Sequence, residues 1–112
     1  MRRWLERLSL EGKRSVVITG IRPGAGRVGA ACLERRDGAV SRPVADYVPG
    51  EYSGTGDLFS SVMLGALLRG EDLHAATALA VDFVRRCAAF TNALGGDRRE
   101  GVMFERLLKD LM

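Results

Sequence analysis

The sequence predicts an α/β fold, and three stretches carry the prediction. Ser15-Val16-Val17-Ile18-Thr19 is a short unbroken run rich in β-branched residues, the pattern of a parallel strand buried on both faces. Asp37-Gly38 stands between two strand-like runs, Val28 to Leu33 and Ala39 to Ala45, and marks a β-hairpin. From Glu71 to Thr91 the residues Leu73, Ala76, Thr77, Ala80, Val84, Cys87 and Ala88 recur at a 3.6-residue period opposite Asp72, Asp82, Arg85 and Arg86, which is an amphipathic helix.

Taken in order, the chain opens with Trp4, Leu5 and Leu8 at helical spacing among charged residues, the tail of an amphipathic helix that Gly12 closes. That helix has no capping residue before it, so the chain is expected to begin partway through a larger design. The strand Ser15 to Thr19 follows, then a loop through Arg22-Pro23-Gly24-Ala25-Gly26. Pro43 cannot donate to a ladder, so the second hairpin strand belongs at an edge. Pro49-Gly50-Glu51-Tyr52 leads back toward the core, with Tyr52 placed to pack on the next loop or line a cleft. Leu58 to Arg69 is apolar or small at almost every position and predicts a helix buried all round, ended by Gly70. After the amphipathic helix comes a polar, Gly-rich loop, Asn92 to Arg99. Val102, Phe104, Leu107, Leu108 and Leu111 then mark a terminal amphipathic helix. The count is one buried parallel strand, a hairpin and then three helices, forming a single unit over 1–112.

Composition narrows the function. With 112 residues, 46% apolar and 28% charged, the chain has the make-up of one soluble globular domain. Seventeen Lys and Arg against 14 Asp and Glu leave a charge of +3, and the Arg pairs have no aromatics between them. Such pairs are solvated faces and not a nucleic-acid stripe. No apolar run is long enough to span a bilayer, and the first residues lack the core of a signal peptide, which places the expected protein in the cytoplasm, off the membrane. Cys32 and Cys87 have no metal-type spacing and are expected to be reduced and buried. His74, the only histidine, falls on the polar side of its helix and is expected to be exposed, without chemistry. Gly24-Ala25-Gly26-Arg27-Val28-Gly29 spells G-x-G-x-x-G, but it does not sit between a strand and a helix, so it is no dinucleotide fingerprint.

The chemistry gathers at Gly54-Thr55-Gly56-Asp57, directly ahead of the apolar helix. Two glycines free the backbone to turn and to present consecutive N–H groups at a helix N-terminus, which is an anion site with a carboxylate beside it. Donors of this kind next to one Asp suit phosphoryl transfer: the donors neutralise charge on the moving group, and the Asp takes the proton of the attacking hydroxyl. The plainer alternative is that Asp57 only caps the helix. Thr19, closing a buried strand, stands where α/β sheets meet their ligands, or else simply ends that strand.

The longer string Tyr52-Ser53-Gly54-Thr55-Gly56-Asp57-Leu58-Phe59-Ser60-Ser61, followed by Gly65-Ala66-Leu67-Leu68-Arg69-Gly70, resembles the C-terminal signature of the ribokinase-like (PfkB) kinases. Thr55 and Asp57 together make it most similar to the pyridoxal/pyridoxamine kinases. The sugar kinases usually carry Gly-Ala-Gly-Asp, and the hydroxymethylpyrimidine kinases often place Cys at the Asp position. The segment Arg99 to Glu105 with Leu107 resembles the last helix of bacterial pyridoxamine kinases. The resemblance implies the C-terminal part of a ribokinase-like fold that phosphorylates the 5′-hydroxymethyl group of pyridoxal, pyridoxamine or pyridoxine. It implies ATP with Mg2+ or another divalent cation, Asp57 as the base that also meets the substrate, and Gly54, Thr55 and Gly56 as the anion hole. It further implies Thr19 against ATP phosphates and, for a complete kinase, a homodimer. The family's vitamin-binding residues, lid and acidic cation motif lie ahead of the matched region, so the chain alone is expected to be inactive. Two alternatives stay open: a non-catalytic remnant serving as an interaction or nucleotide-binding module, and a kinase of this type for a sugar or a hydroxymethylpyrimidine.

Overall fold

The computed structural model describes residues 2–48, 54–94 and 104–111. Among these residues eight elements follow one another: α1 (Arg2–Leu8), β1 (Val16–Ile21), β2 (Arg27–Leu33), β3 (Val40–Ser41), β4 (Val44–Asp46), α2 (Thr55–Leu68), α3 (Leu73–Leu94) and a terminal 3-10 helix (Glu105–Leu111). This is the expected α/β order, with the expected hairpin at β2 and β3. Its turn is held by Gly38 N–H donating to Glu34 O at 2.9 Å and by Ala39 N–H donating to the Asp37 carboxylate at 2.9 Å.

Strand β2 is the middle of the sheet, and its small residues explain why. Successive side chains of a strand point to opposite faces. Ala31 and Leu33 join Leu5 of α1, with Val16, Ile18 and Ile21 of β1 packed around them. Ala30 joins Phe59 and Val62 of α2 and Ala80, Val81, Phe83, Cys87 and Ala88 of α3. Three layers result, α1 on one face and α2 with α3 on the other.

The expectation for β1 needs correction in one respect. The run forms a strand, but among the described residues it pairs antiparallel with β2, as in Val16 opposite Leu33 and Val17 opposite Cys32, and has no parallel neighbour. It is partly buried. β-Branched runs report burial on both faces and are silent about the direction of the neighbour. The second hairpin strand is broken in two at Arg42-Pro43, as the proline predicts: among the described residues β3 and β4 pair only with β2, and Pro43 contributes its carbonyl, accepting from Ala30 N–H at 3.1 Å.

Gly29, the last glycine of the G-x-G-x-x-G string, lies inside β2 where the backbone of this break crosses it. A Cβ at Gly29 would stand 2.1 Å from Pro43 O and 2.9 Å from Val44 Cα. Gly29→Ala is therefore expected to destabilise the fold by about 1–3 kcal/mol, the usual cost of overpacking. Denaturant midpoints of the two proteins check this, and equal midpoints would contradict the close crossing.

Three further expectations change on folding. Helix α2 is not buried all round: Phe59, Val62 and Ala66 are buried, but Leu64 and Leu68 are 56% and 80% exposed, because the described layers cover only one of its faces. His74 is not a free surface group. Its Nδ1 lies 2.5 Å from Ser41 Oγ and 3.3 Å from Cys32 Sγ, so it ties the start of α3 to the hairpin. The terminal segment is a 3-10 helix over its described part, anchored to α3 by the ion pair of Arg86 with Asp110. The expected loop Asn92 to Arg99 begins later than its composition suggests, because residues 92–94 continue α3; residues 95–103 and Tyr52 fall outside the described residues. No helix among the described residues is long and apolar enough to cross a membrane.

Cys32 and Cys87 are free and buried, as expected. Burial pushes the Cys87 thiol up from 9.0 to about 11, against the opposing pull of the Arg86 charge. Between those values the unfolded chain has lost a proton that the folded chain keeps, so stability falls as pH rises from 9.0 toward 11, by roughly 2 kcal/mol. Stability measured across that interval is expected to fall less steeply for Cys87→Ala. The same alkaline slope in both proteins would rule out burial of this thiol as a source of the pH dependence.

Candidate functional site

The start of α2 is built by Gly54. It sits at φ 84°, ψ 2°, the left-handed region, and is the residue preceding the helix, with no side-chain cap. An L side chain there would cost about 1–2 kcal/mol, so the turn depends on glycine. Leu58 N–H donates to Gly54 O at 2.9 Å as the first bond of the helix. The N–H groups of Thr55, Gly56 and Asp57 precede it and have no acceptor within the helix, which leaves three donors at its positive end.

The geometry decides against Asp57 as the helix cap. Gly54 holds the capping position and Asp57 is the third residue of the helix. Its side chain is exposed and makes no hydrogen bond or ion pair among the described residues. Ser61 Oγ donates to the Asp57 carbonyl at 2.8 Å, bonding the backbone and leaving the carboxylate free.

Two hollows open on either side of this first turn. One, of about 390 Å³, lies between the sheet and helices α2 and α3. Thr19 and Gly20 of β1 line it together with Thr55 and Gly56 of α2, so the structure brings Thr19 to the glycine loop. Thr19 is set there by an irregularity of the β1–β2 ladder between Ile18 and Ile21, with Gly20 at φ 71°. Val28, Val48, Phe59, Val81, Val84 and Ala88 give this hollow an apolar wall, and Asp46, Tyr47 and Arg85 are its remaining polar lining. The second hollow, about 490 Å³, is lined by Gly54 and Asp57 with Ser61, Arg69, Phe104 and Leu108. Asp57 and Thr19 therefore face different spaces, and the anion donors of α2 stand between them.

Sequence reasoning missed Tyr47, Asp46 and Arg85. Asp46 at the end of a short strand and Tyr47 just after it carry no motif, and Arg85 reads from the helical period only as part of the polar face of α3; the packing of α3 against β4 turns all three toward one space. No group of three His, Cys, Asp or Glu side chains placed to hold a metal exists among the described residues.

An apolar hollow between a sheet and two helices, with backbone anion donors at one end and an unpaired carboxylate just beyond, belongs to the class of α/β folds built to meet a phosphate-bearing ligand. Comparison with solved structures bears this out. The chain matches a protein assigned as a phosphomethylpyrimidine kinase from Bacteroides thetaiotaomicron with TM-score 0.91 and 31% identity, over 98% of this chain and 38% of that one. It matches pyridoxal kinase from Lactobacillus plantarum with TM-score 0.86 and 32% identity, over 98% of this chain and 40% of that one. An orthorhombic form of the Bacteroides protein, with pyridoxal, matches with TM-score 0.77 and 28% identity over 98% of this chain and 39% of that one. The chain thus carries part of the fold of the pyridoxal- and phosphomethylpyrimidine-kinase structures, and spans about two fifths of their length. No protein-family model and no curated protein matches the sequence.

Proposed function

We propose that this chain supplies the nucleotide-side wall, the anion hole and the catalytic base of an ATP-dependent kinase that phosphorylates the hydroxymethyl group of a B6 vitamer. The observation that carries the reading is the division of labour at the first turn of α2: Thr55 and Gly56 face the hollow shared with Thr19, while Asp57 faces the other. A nucleotide in the first hollow lays its base on the apolar wall and its phosphates toward Thr19 and the α2 donors. An acceptor alcohol in the second meets Asp57. The transferring phosphoryl group then passes over the N–H groups of residues 55–57, where developing negative charge is stabilised, and the Asp57 carboxylate takes the hydroxyl proton.

Such kinases use a divalent cation bound to the phosphates. The described residues offer no cluster to hold one, so no step is assigned to it. The acceptor is a pyridoxal-type ring on the strength of the Thr55 and Asp57 pattern and of the similarity to pyridoxal kinase. A hydroxymethylpyrimidine is the second reading, favoured by the similarity to the Bacteroides protein, and it calls for the same base and the same donors. Supplying the chain, completed by the remaining part of the kinase fold, with magnesium-ATP and each acceptor in turn tests the assignment. Phosphorylated pyridoxal is the expected product; phosphorylation of the pyrimidine alone would move the assignment to the second reading, and no product from either would overturn both.

A further inference from the structure

Two arginines on or next to residues that line the first hollow are paired with carboxylates. Arg27 lies 3.9 Å from the carboxylate of Asp46, and Arg85 lies 3.3 Å from that of Asp82. Arg22, on the loop that leaves β1, has no carboxylate partner among the described residues. Its guanidinium rests 3.8 Å from the centre of the Tyr47 ring, and Tyr47 lines the hollow. A planar guanidinium on an aromatic face is attracted by the ring's negative surface and keeps its five donors free for an anion.

The position follows from the chain. Arg22 is three residues beyond Thr19, a span of at most ~10 Å, and it is joined to the hollow through Tyr47, the lining residue on whose ring its guanidinium rests. Asp46, the carboxylate on that wall, is partly neutralised by Arg27, which leaves the charge of Arg22, beside Tyr47, without a carboxylate among the described residues.

The geometry points to Arg22, shelved on Tyr47, as an anion-binding group of this hollow that selects nucleoside polyphosphates over uncharged nucleosides. The inference rests on the reading of the hollow as a nucleotide site and adds to it a residue outside the glycine loop. Arg22 rests on the Tyr47 ring and would turn from there to the phosphates of a bound nucleotide; the ring holds it in a limited set of rotamers, so less side-chain freedom is lost on binding.

Titration calorimetry of the whole chain with ATP and with adenosine tests this. Arg22→Ala is expected to weaken ATP binding about fivefold, the size of an exposed ionic contact, and to leave adenosine unchanged. Its ATP affinity should also depend less steeply on salt. Arg22→Lys keeps the charge but loses the flat fork, and is expected to fall between. Equal ATP affinity and salt dependence in Arg22→Ala would overturn the inference and leave the nucleotide site standing. Equal loss for ATP and adenosine would also overturn it, by showing that the residue acts through the fold. Failure of the unaltered chain to bind either ligand would remove the site itself, and the inference with it.

Discussion

Asp57→Asn, placed in a chain completed by the rest of the kinase fold, is expected to lower phosphorylation of pyridoxal by about 10²-fold or more, since a positioned base contributes on the order of 10²–10⁴. The substitution is clean for a structural reason. Gly54 precedes the helix and the Asp57 side chain makes no hydrogen bond or ion pair among the described residues, so exchanging the carboxylate for an amide removes the base and breaks no bond of the fold. What is lost besides is the favourable placement of a negative charge in the first turn of α2, about 0.3–1 kcal/mol. Melting temperature should hardly move while turnover collapses. A variant that turned over normally would reduce Asp57 to a first-turn acidic residue and remove the main support for the proposed chemistry.

The 112-residue chain alone is expected to give no measurable pyridoxal phosphate. Phosphoryl transfer requires the acceptor hydroxyl in line with the γ-phosphate, and such positioning accounts for roughly 7–11 kcal/mol of a barrier. The hollow that Asp57 faces is bounded on this chain by α2 and the terminal 3-10 helix, and nothing among the described residues closes over it. The neighbouring face of α2 carries the exposed Leu64 and Leu68, and the similar kinases are about two and a half times longer. Both facts fit an acceptor site completed by further polypeptide. The assay mixes chain, magnesium-ATP and pyridoxal and follows absorbance of the product. Appreciable product that vanishes with Asp57→Asn would show that these residues suffice.

What could be read from the sequence were the features whose cause is local. The β-branched run at Val16 to Ile18, Asp37-Gly38 at the hairpin, and the 3.6-residue period of α3 each encode a conformation within a few residues. So does Gly54, because a left-handed residue ahead of a helix needs glycine wherever the helix lies, whereas Gly56 lies inside α2 and is not left-handed. The tertiary structure decided what depends on segments distant in the chain. Val16 to Ile18 pair antiparallel because β2 returns beside them, although their composition suits either direction. His74 sits on the polar side of α3 by helical period and is nonetheless held at Ser41 and Cys32, because the hairpin folds over that end of the helix. Thr19 and Thr55, 36 positions apart, share one hollow, while Asp57, two residues from Thr55, faces another. A helix turns about 100° per residue, so neighbours in the chain look in different directions, and only the packing of sheet and helices around α2 determines what each of them meets.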